Sequence, residues 1–353
     1  MNSSECEHCD SYNEMSPLGE ENITVQFSTN ASHPEALHLQ QNVIQEWVSA
    51  MGHSKTDILM IPLVICFFAS LLATPLVLLA IFSNNSLRQE TRYLLLANTL
   101  INDLIYSILN TFIDILNATG VGMPKIICET LLYVLTMAYC NGILTVTAMV
   151  VDTYVAVGWP LHYTSLLPHS RTLKIIACIW ILSAIAPSVI YVITLGTQQN
   201  PFSTLSICIL PLIFVFSVFR KPLLKIYYSF TVIYFLICLV LISSCYVMLY
   251  CKTKASGIWA GNSRARQTYV IHSVLLVLYL FPLLVLVAGN VLQERHLISY
   301  MTGLWITLSM ANMLMMLPKA VSPYVYALRY RDVTKTIRSL SMLRHVRRVN
   351  PTG

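Results

Sequence analysis

The 24 residues from Cys128 to Val151 carry one charged side chain, Glu129, before the triplet Asp152-Thr153-Tyr154. As an α-helix this stretch would extend roughly 36 Å, enough to cross a hydrocarbon core of about 30 Å with some tilt. Such a segment either spans a bilayer or hides in a large core, and the rest of the chain decides between them. Only 11% of its residues are charged, against about one quarter in soluble domains. Six more apolar runs, near 58–82, 93–116, 173–195, 227–251, 268–291 and 299–327, are long enough to span as helices. The sequence predicts an all-α membrane protein, a seven-transmembrane helix bundle. The apolar piece Leu205 to Phe219 is shorter and is followed by Arg220 and Lys221, so it reads as part of a long loop.

Lys and Arg accumulate in cytoplasmic loops. With the amino terminus outside, fifteen of them fall on the inner side and six on the outer, and Lys319 is left inside a span. That asymmetry predicts an external amino terminus. It also explains the net charge of +6 without a nucleic-acid partner. No basic start followed by an apolar segment and cleavage site precedes the first span, so that span is expected to direct insertion.

Three regions follow: an outer tail at 1–57, a membrane domain at 58–328, and a cytoplasmic helix with a basic tail at 329–353. The tail is acidic and polar and holds sequons at Asn2, Asn22 and Asn30; a fourth, Asn117, follows the second span. All four are expected to be glycosylated, whereas Asn84, in the first inner loop, is not. Cys6 and Cys9 flank His8 without a second ligand pair, which favours a local disulfide or free thiols over a metal site. Past residue 329, Val333, Ile337 and Leu340 share a helical face opposite Arg331, Lys335 and Arg338. This is the pattern of a short amphipathic eighth helix on the inner leaflet, or of a polar tail with accidental periodicity.

Three features inside the spans carry chemistry. Asp103 lies about ten residues into the second span, where an ionisable group is costly and marks either function or a tie between helices. Cys128 opens the third span, and Cys208 lies in the loop between the fourth and fifth; both face an oxidising compartment, so they are a candidate disulfide. Pro282 and Pro323 interrupt the sixth and seventh spans and free carbonyls for neighbours to satisfy.

Asp103, Cys128, the triplet at 152–154, Trp180, Cys208, Tyr246, Pro282 and the Pro323–Tyr326 pair stand in the order found in rhodopsin-like (class A) G-protein-coupled receptors, which the chain resembles over residues 58–340. Segments 254–275 and 314–331 are similar to one orphan member of that class, and residues 88–106 are similar to fish odorant receptors.

The resemblance implies a transmembrane receptor for a small molecule. Its coupling and switch positions are Asp152, Thr153, Tyr154, Tyr246, Pro282, Pro323 and Tyr326, and its partners are membrane lipids and a heterotrimeric G protein or arrestin. The departures are specific. Thr153 stands where the class has an arginine, which puts ordinary coupling in doubt. Leu280 stands in place of a tryptophan, Ser322 in place of an asparagine, and Cys238 in place of a proline. The class commonly uses the Asp103 position to bind sodium. Here Gly142 and Ser322 weaken that polar shell and Lys319 lies one helical turn from Pro323, so an Asp103–Lys319 ion pair in place of sodium is expected.

The implied ligand cavity faces Leu135, Tyr139, Phe230, Tyr234, Leu283, Val287, Asn312 and Met316. It is apolar with an aromatic rim and suits a small lipophilic molecule. Leu135 in place of a carboxylate argues against a monoamine, and Met316 in place of a lysine argues against a chromophore. No cofactor, resident metal or enzymatic residue set is expected. The competing readings are an odorant-type chemoreceptor and a receptor-fold protein that escorts or binds partners without signalling.

Overall fold

The computed structural model describes residues 53–196, 204–205, 208, 221–255, 263–295, 297–298, 302, 306 and 313–339. Its long helices are α1 (His53–Ser83), α2 (Thr91–Thr119), α3 (Lys125–Gly158), α4 (His169–Gly196), α5 (Lys221–Ala255), α6 (Ser263–Glu294) and α7 (Leu317–Arg329), and residues 331–339 form α8. Among the described residues, α1 to α4 each contain a stretch long and apolar enough to cross a membrane, and shorter apolar stretches lie in α5 (Leu236–Met248) and α6 (Ser273–Pro282). Several helices outrun the apolar segments that announce them. α3 continues through Asp152-Thr153-Tyr154 to Gly158, because backbone bonding continues into polar turns where hydropathy has already fallen away.

Local chemistry sets the breaks. Asn84 accepts from the Ser86 N–H and caps a short helical turn, Asn85–Gln89, whose Leu87 is buried. α2 ends in a Schellman motif: Gly120, at φ 67°, bonds to the Asn117 carbonyl, and Val121 bonds to Leu116. Only glycine takes that left-handed turn without strain. α3 stops at Trp159 because Pro160 follows, and the residue before a proline is pushed out of helical geometry. Met123–Pro124 pairs antiparallel with Thr204–Leu205, which brings these two residues of the α4–α5 connection to the start of α3.

α3 packs against α2, α4, α5 and α6, while α1 packs on α2 and α7. Among the described residues, two buried apolar clusters lie in the interior. One, toward Cys128, includes Tyr106, Ile113, Leu132, Leu135, Tyr139, Tyr279 and Met316. The other, toward Asp152, includes Leu95, Leu96, Leu100, Met149, Leu275, Tyr326 and Val333. Along α2 the second cluster ends at Leu100 and the first resumes at Tyr106, and Asp103 sits in the gap.

Lipid tails are as apolar as leucine, so apolar contact alone specifies helix register weakly; polar bonds between helices, about 0.6 kcal/mol each on average, add direction. Trp180 Nε1 donates to Asn98 Oδ1 at 2.9 Å, and Asn98 Nδ2 reaches Thr145 Oγ1 at 2.9 Å. These two bonds tie α4, α2 and α3 at one level. α8 is attached by its apolar face: Val333 is buried in the second cluster and Ile337 packs against it, while the Tyr93 hydroxyl donates to Asp332 at 3.4 Å.

Candidate functional site

The polar layer between the clusters centres on Asp103 and Lys319, both with fully buried side chains. Lys319 Nζ lies 3.0 Å from Asp103 Oδ1. The Tyr279 hydroxyl sits 2.7 Å from each carboxylate oxygen, and Ser322 Oγ donates to Oδ2 at 2.9 Å. The ammonium is also caged by aromatic faces: the Tyr279 ring centre is 3.9 Å away, and those of Tyr106 and Tyr139 are each 5.2 Å away. Such cation–π contacts strengthen when water is excluded. One carboxylate, one ammonium, two hydroxyls and three rings thus join α2, α3, α6 and α7.

Each helix supplies its member for a local reason. Asp103 and Ser107 lie one turn apart on α2, and Ser107 Oγ turns back to the Asp103 carbonyl, leaving the carboxylate free to point inward. Lys319 lies in the first turn of α7, just after Pro318, and residues 313–314 form a widened π-turn before it, a distortion found mostly at functional sites. Tyr279 lies three residues before Pro282. The Tyr139 hydroxyl donates to the Tyr279 carbonyl, next to the carbonyl that the proline deprives of its usual donor.

Gly142 completes the cage by absence. A Cβ there would lie 3.0 Å from Tyr279 Cε1 and 3.1 Å from Lys319 Nζ. The glycine that looks like a thinned polar shell in the sequence makes room for the ammonium. Gly142→Ala is expected to destabilise by about 1–3 kcal/mol, read as a lower thermal unfolding midpoint in detergent. The loss should shrink when Lys319 is methionine, whose terminal methyl can yield where the tethered ammonium cannot.

A sodium ion does not fit this arrangement, because the lysine ammonium already lies against Oδ1 and two hydroxyls surround the remaining lone pairs.

Cys128 and Cys208 are bonded, with an S–S distance of 2.04 Å and Cα atoms 5.7 Å apart. Asn117 reinforces the same point: its Nδ2 donates to the Cys208 carbonyl and its Oδ1 accepts from the Cys208 N–H, both at 2.8 Å. Asn117, expected from its sequon to be glycosylated, therefore also holds the loop at Cys208; an N-linked glycan would replace one Nδ2 hydrogen and leave the other for this bond. Asn2, Asn22 and Asn30 lie outside the described residues.

At the Asp152 end, Thr153 Oγ1 donates back to the Met149 carbonyl at 2.9 Å. Asp152 Oδ1 accepts from the Tyr163 hydroxyl at 2.8 Å. Burial and the adjacent Asp152 carboxylate raise the Tyr163 phenol above its ordinary value, so it remains a donor across the physiological range. Tyr154 stacks edge-on against Trp159. The Tyr246 hydroxyl accepts from Ser273 Oγ at 2.7 Å, joining α5 to α6. Pro282 and Pro323 are buried, and the buried Tyr326 hydroxyl points at Met149 Sδ, 3.5 Å away.

Of the expected cavity residues, Leu135, Tyr139 and Met316 share the cluster toward Cys128. Asn312 and the side chains of Phe230, Tyr234, Leu283 and Val287 lie outside the described residues. Sequence reasoning missed Tyr279 as a member of the polar layer, and missed Asp114, a second buried carboxylate on α2. The rule that singles out Asp103, an ionisable group inside a span, applies to Asp114 equally.

Residues 74–326 match the model of the 7 transmembrane receptor (rhodopsin family). The chain is 34% identical over 275 residues to Probable G-protein coupled receptor 148 of Homo sapiens, covering 76% of this chain and 78% of that one. It is 23% identical to Odorant receptor 131-2 of Danio rerio over 68% of this chain and 73% of that one. Over 122 residues it is 27% identical to the QRFP-like peptide receptor of Branchiostoma floridae, 34% of this chain and 32% of that one. The resemblances read from short segments to an orphan receptor and to fish odorant receptors extend over most of the chain.

Proposed function

The chain belongs to the rhodopsin family of seven-transmembrane receptors, and from that premise we propose that it responds to a small lipophilic ligand through an atypical cytoplasmic switch. It is a multi-pass membrane protein and a signalling receptor, not an enzyme. Its amino terminus faces outward, its basic carboxyl-terminal tail lies in the cytoplasm, α8 rests on the inner leaflet, and the plasma membrane is its site of action. The excess of Lys and Arg in alternate loops supports that orientation.

The observation that carries the proposal is the state of the triplet. In this chain the position from which the family presents an arginine is a threonine whose hydroxyl is spent on its own helix, and Asp152 is held by Tyr163 from the next loop. The switch therefore works without a cation at residue 153. Two packings of the helices remain available to a ligand, with the cytoplasmic ends of α3, α5 and α6 reporting to a G protein or arrestin. At the core, Lys319 takes the role of the bound cation. The ion pair holds α2 to α7, and Tyr279 makes it sensitive to the position of α6.

Thr153→Arg tests the switch. It is expected to raise basal G-protein activation several-fold in cells while surface expression holds within a factor of two. An unchanged basal signal across all G-protein classes and arrestin would support the competing reading, a receptor-fold partner that does not signal. The likeness to Odorant receptor 131-2 keeps an external chemical ligand as the stimulus in either case.

A further inference from the structure

The polar face of α2 continues past the ion pair. Asn110, Thr111 and Asp114 follow it toward the disulfide at spacings that share one side of a helix, and all three are more than nine-tenths buried. Asn110 Nδ2 donates to Asp114 Oδ2 at 2.8 Å. Among the described residues no hydrogen bond engages the other carboxylate oxygen, and the Thr111 hydroxyl has no partner.

Among the described residues no ion pair answers Asp114. Lys319 belongs to Asp103, and the apolar run 299–327 contains no other Lys, Arg or His. An ionised carboxylate so buried, with no counter-charge among the described residues, is strongly unfavourable, and charged residues inside spans commonly face the bundle interior to serve a function. The apolar cluster at this end of the bundle includes Ile113, Leu132 and Leu135.

We propose that Asp114, assisted by Thr111, anchors the ligand, and that the ligand carries a protonated amine on an apolar body. The inference rests on the receptor reading above and narrows its ligand class. Leu135 removes the anion from α3, and Asp114 supplies one from α2 instead. An ammonium provides one positive charge and three donors. It neutralises the carboxylate, bonds the free oxygen and gives the Thr111 hydroxyl a donor to accept from, while its apolar body packs on the adjoining cluster. A neutral alcohol would leave the carboxylate uncompensated, and an anionic ligand would be repelled.

The test uses the full-length receptor in detergent and one apolar body with three head groups: phenylbutylamine, phenylbutanol and phenylbutyrate. The amine is expected to raise the unfolding midpoint in a saturable way, and the alcohol and acid are not. Asp114→Asn, which keeps a partner for Asn110, is expected to weaken the amine response about ten-fold or more, a difference of about 1.4 kcal/mol. Thr111→Val is expected to weaken it a few-fold and carries the test if Asp114→Asn does not fold.

Equal shifts from all three head groups would overturn the proposal, as would no shift from the amine up to its solubility limit. So would an Asp114→Asn protein with a lower basal midpoint but an intact amine shift, which would make Asp114 a structural partner of Asn110. The readout is binding, so a receptor that binds the amine yet activates no transducer would sink only the coupling proposal.

Discussion

Lys319→Met is expected to lower the unfolding midpoint of the purified receptor by about 10 °C, corresponding to roughly 3–5 kcal/mol for stranding one member of a buried pair. The loss comes less from the missing attraction than from the carboxylate left behind. Asp103 would keep Tyr279 and Ser322 as donors, but two neutral hydroxyls do not balance a full charge. Asp103→Asn strands the ammonium against three rings and is expected to cost a similar amount. The double variant separates this account from simple loss of packing. With both charges gone, most of the stability should return, because a buried ion pair replaced by neutral groups of similar volume is often close to neutral. If the double variant is as unstable as the sum of the singles, the two residues are not a pair.

Cys208→Ser removes the second-largest restraint. The bond closes a separation of 80 residues, for which the chain-entropy picture gives about 4 kcal/mol. Part of that is already spent, because α4 and the bilayer restrain the segment even when the bundle is loosened, so a loss of about 2–3 kcal/mol is expected. Cys128→Ser and the double serine variant should match it, since each breaks the same bond. Asn117→Ala is expected to cost a further fraction, because its amide holds the Cys208 backbone from α2 whether or not the sulfur is linked. Non-reducing mobility and thermal unfolding on the four proteins check both statements.

The sequence makes some of this legible and hides the rest for definable reasons. Apolar length is a one-dimensional signal, so the spans can be read without a structure. Ionisable residues inside them stand out by cost, which nominates Asp103 and Lys319. What they meet there is a matter of rotation and depth. Tyr279 is visible as a tyrosine before a proline, but whether it faces lipid or Asp103 depends on how α6 is turned, and that is set by packing against α3. Gly142 shows the same limit: a sequence records a missing side chain and cannot record whose side chain fills the space. Asp114 could have been found by the reasoning applied to Asp103. Positions taken from a family direct attention to the residues that family uses, and Asp114 with Thr111 stands out only once the burial of both and the unpartnered Thr111 hydroxyl are seen.

The central claim is that Lys319 takes the place of a bound cation in the membrane core. Its most direct test is the unfolding midpoint of the wild-type receptor titrated with sodium chloride against choline chloride at matched ionic strength. The account predicts superimposable curves for wild type and a sodium-dependent rise only when Lys319→Met is combined with an intact Asp103. A saturable sodium-specific stabilisation of the wild-type receptor would contradict it.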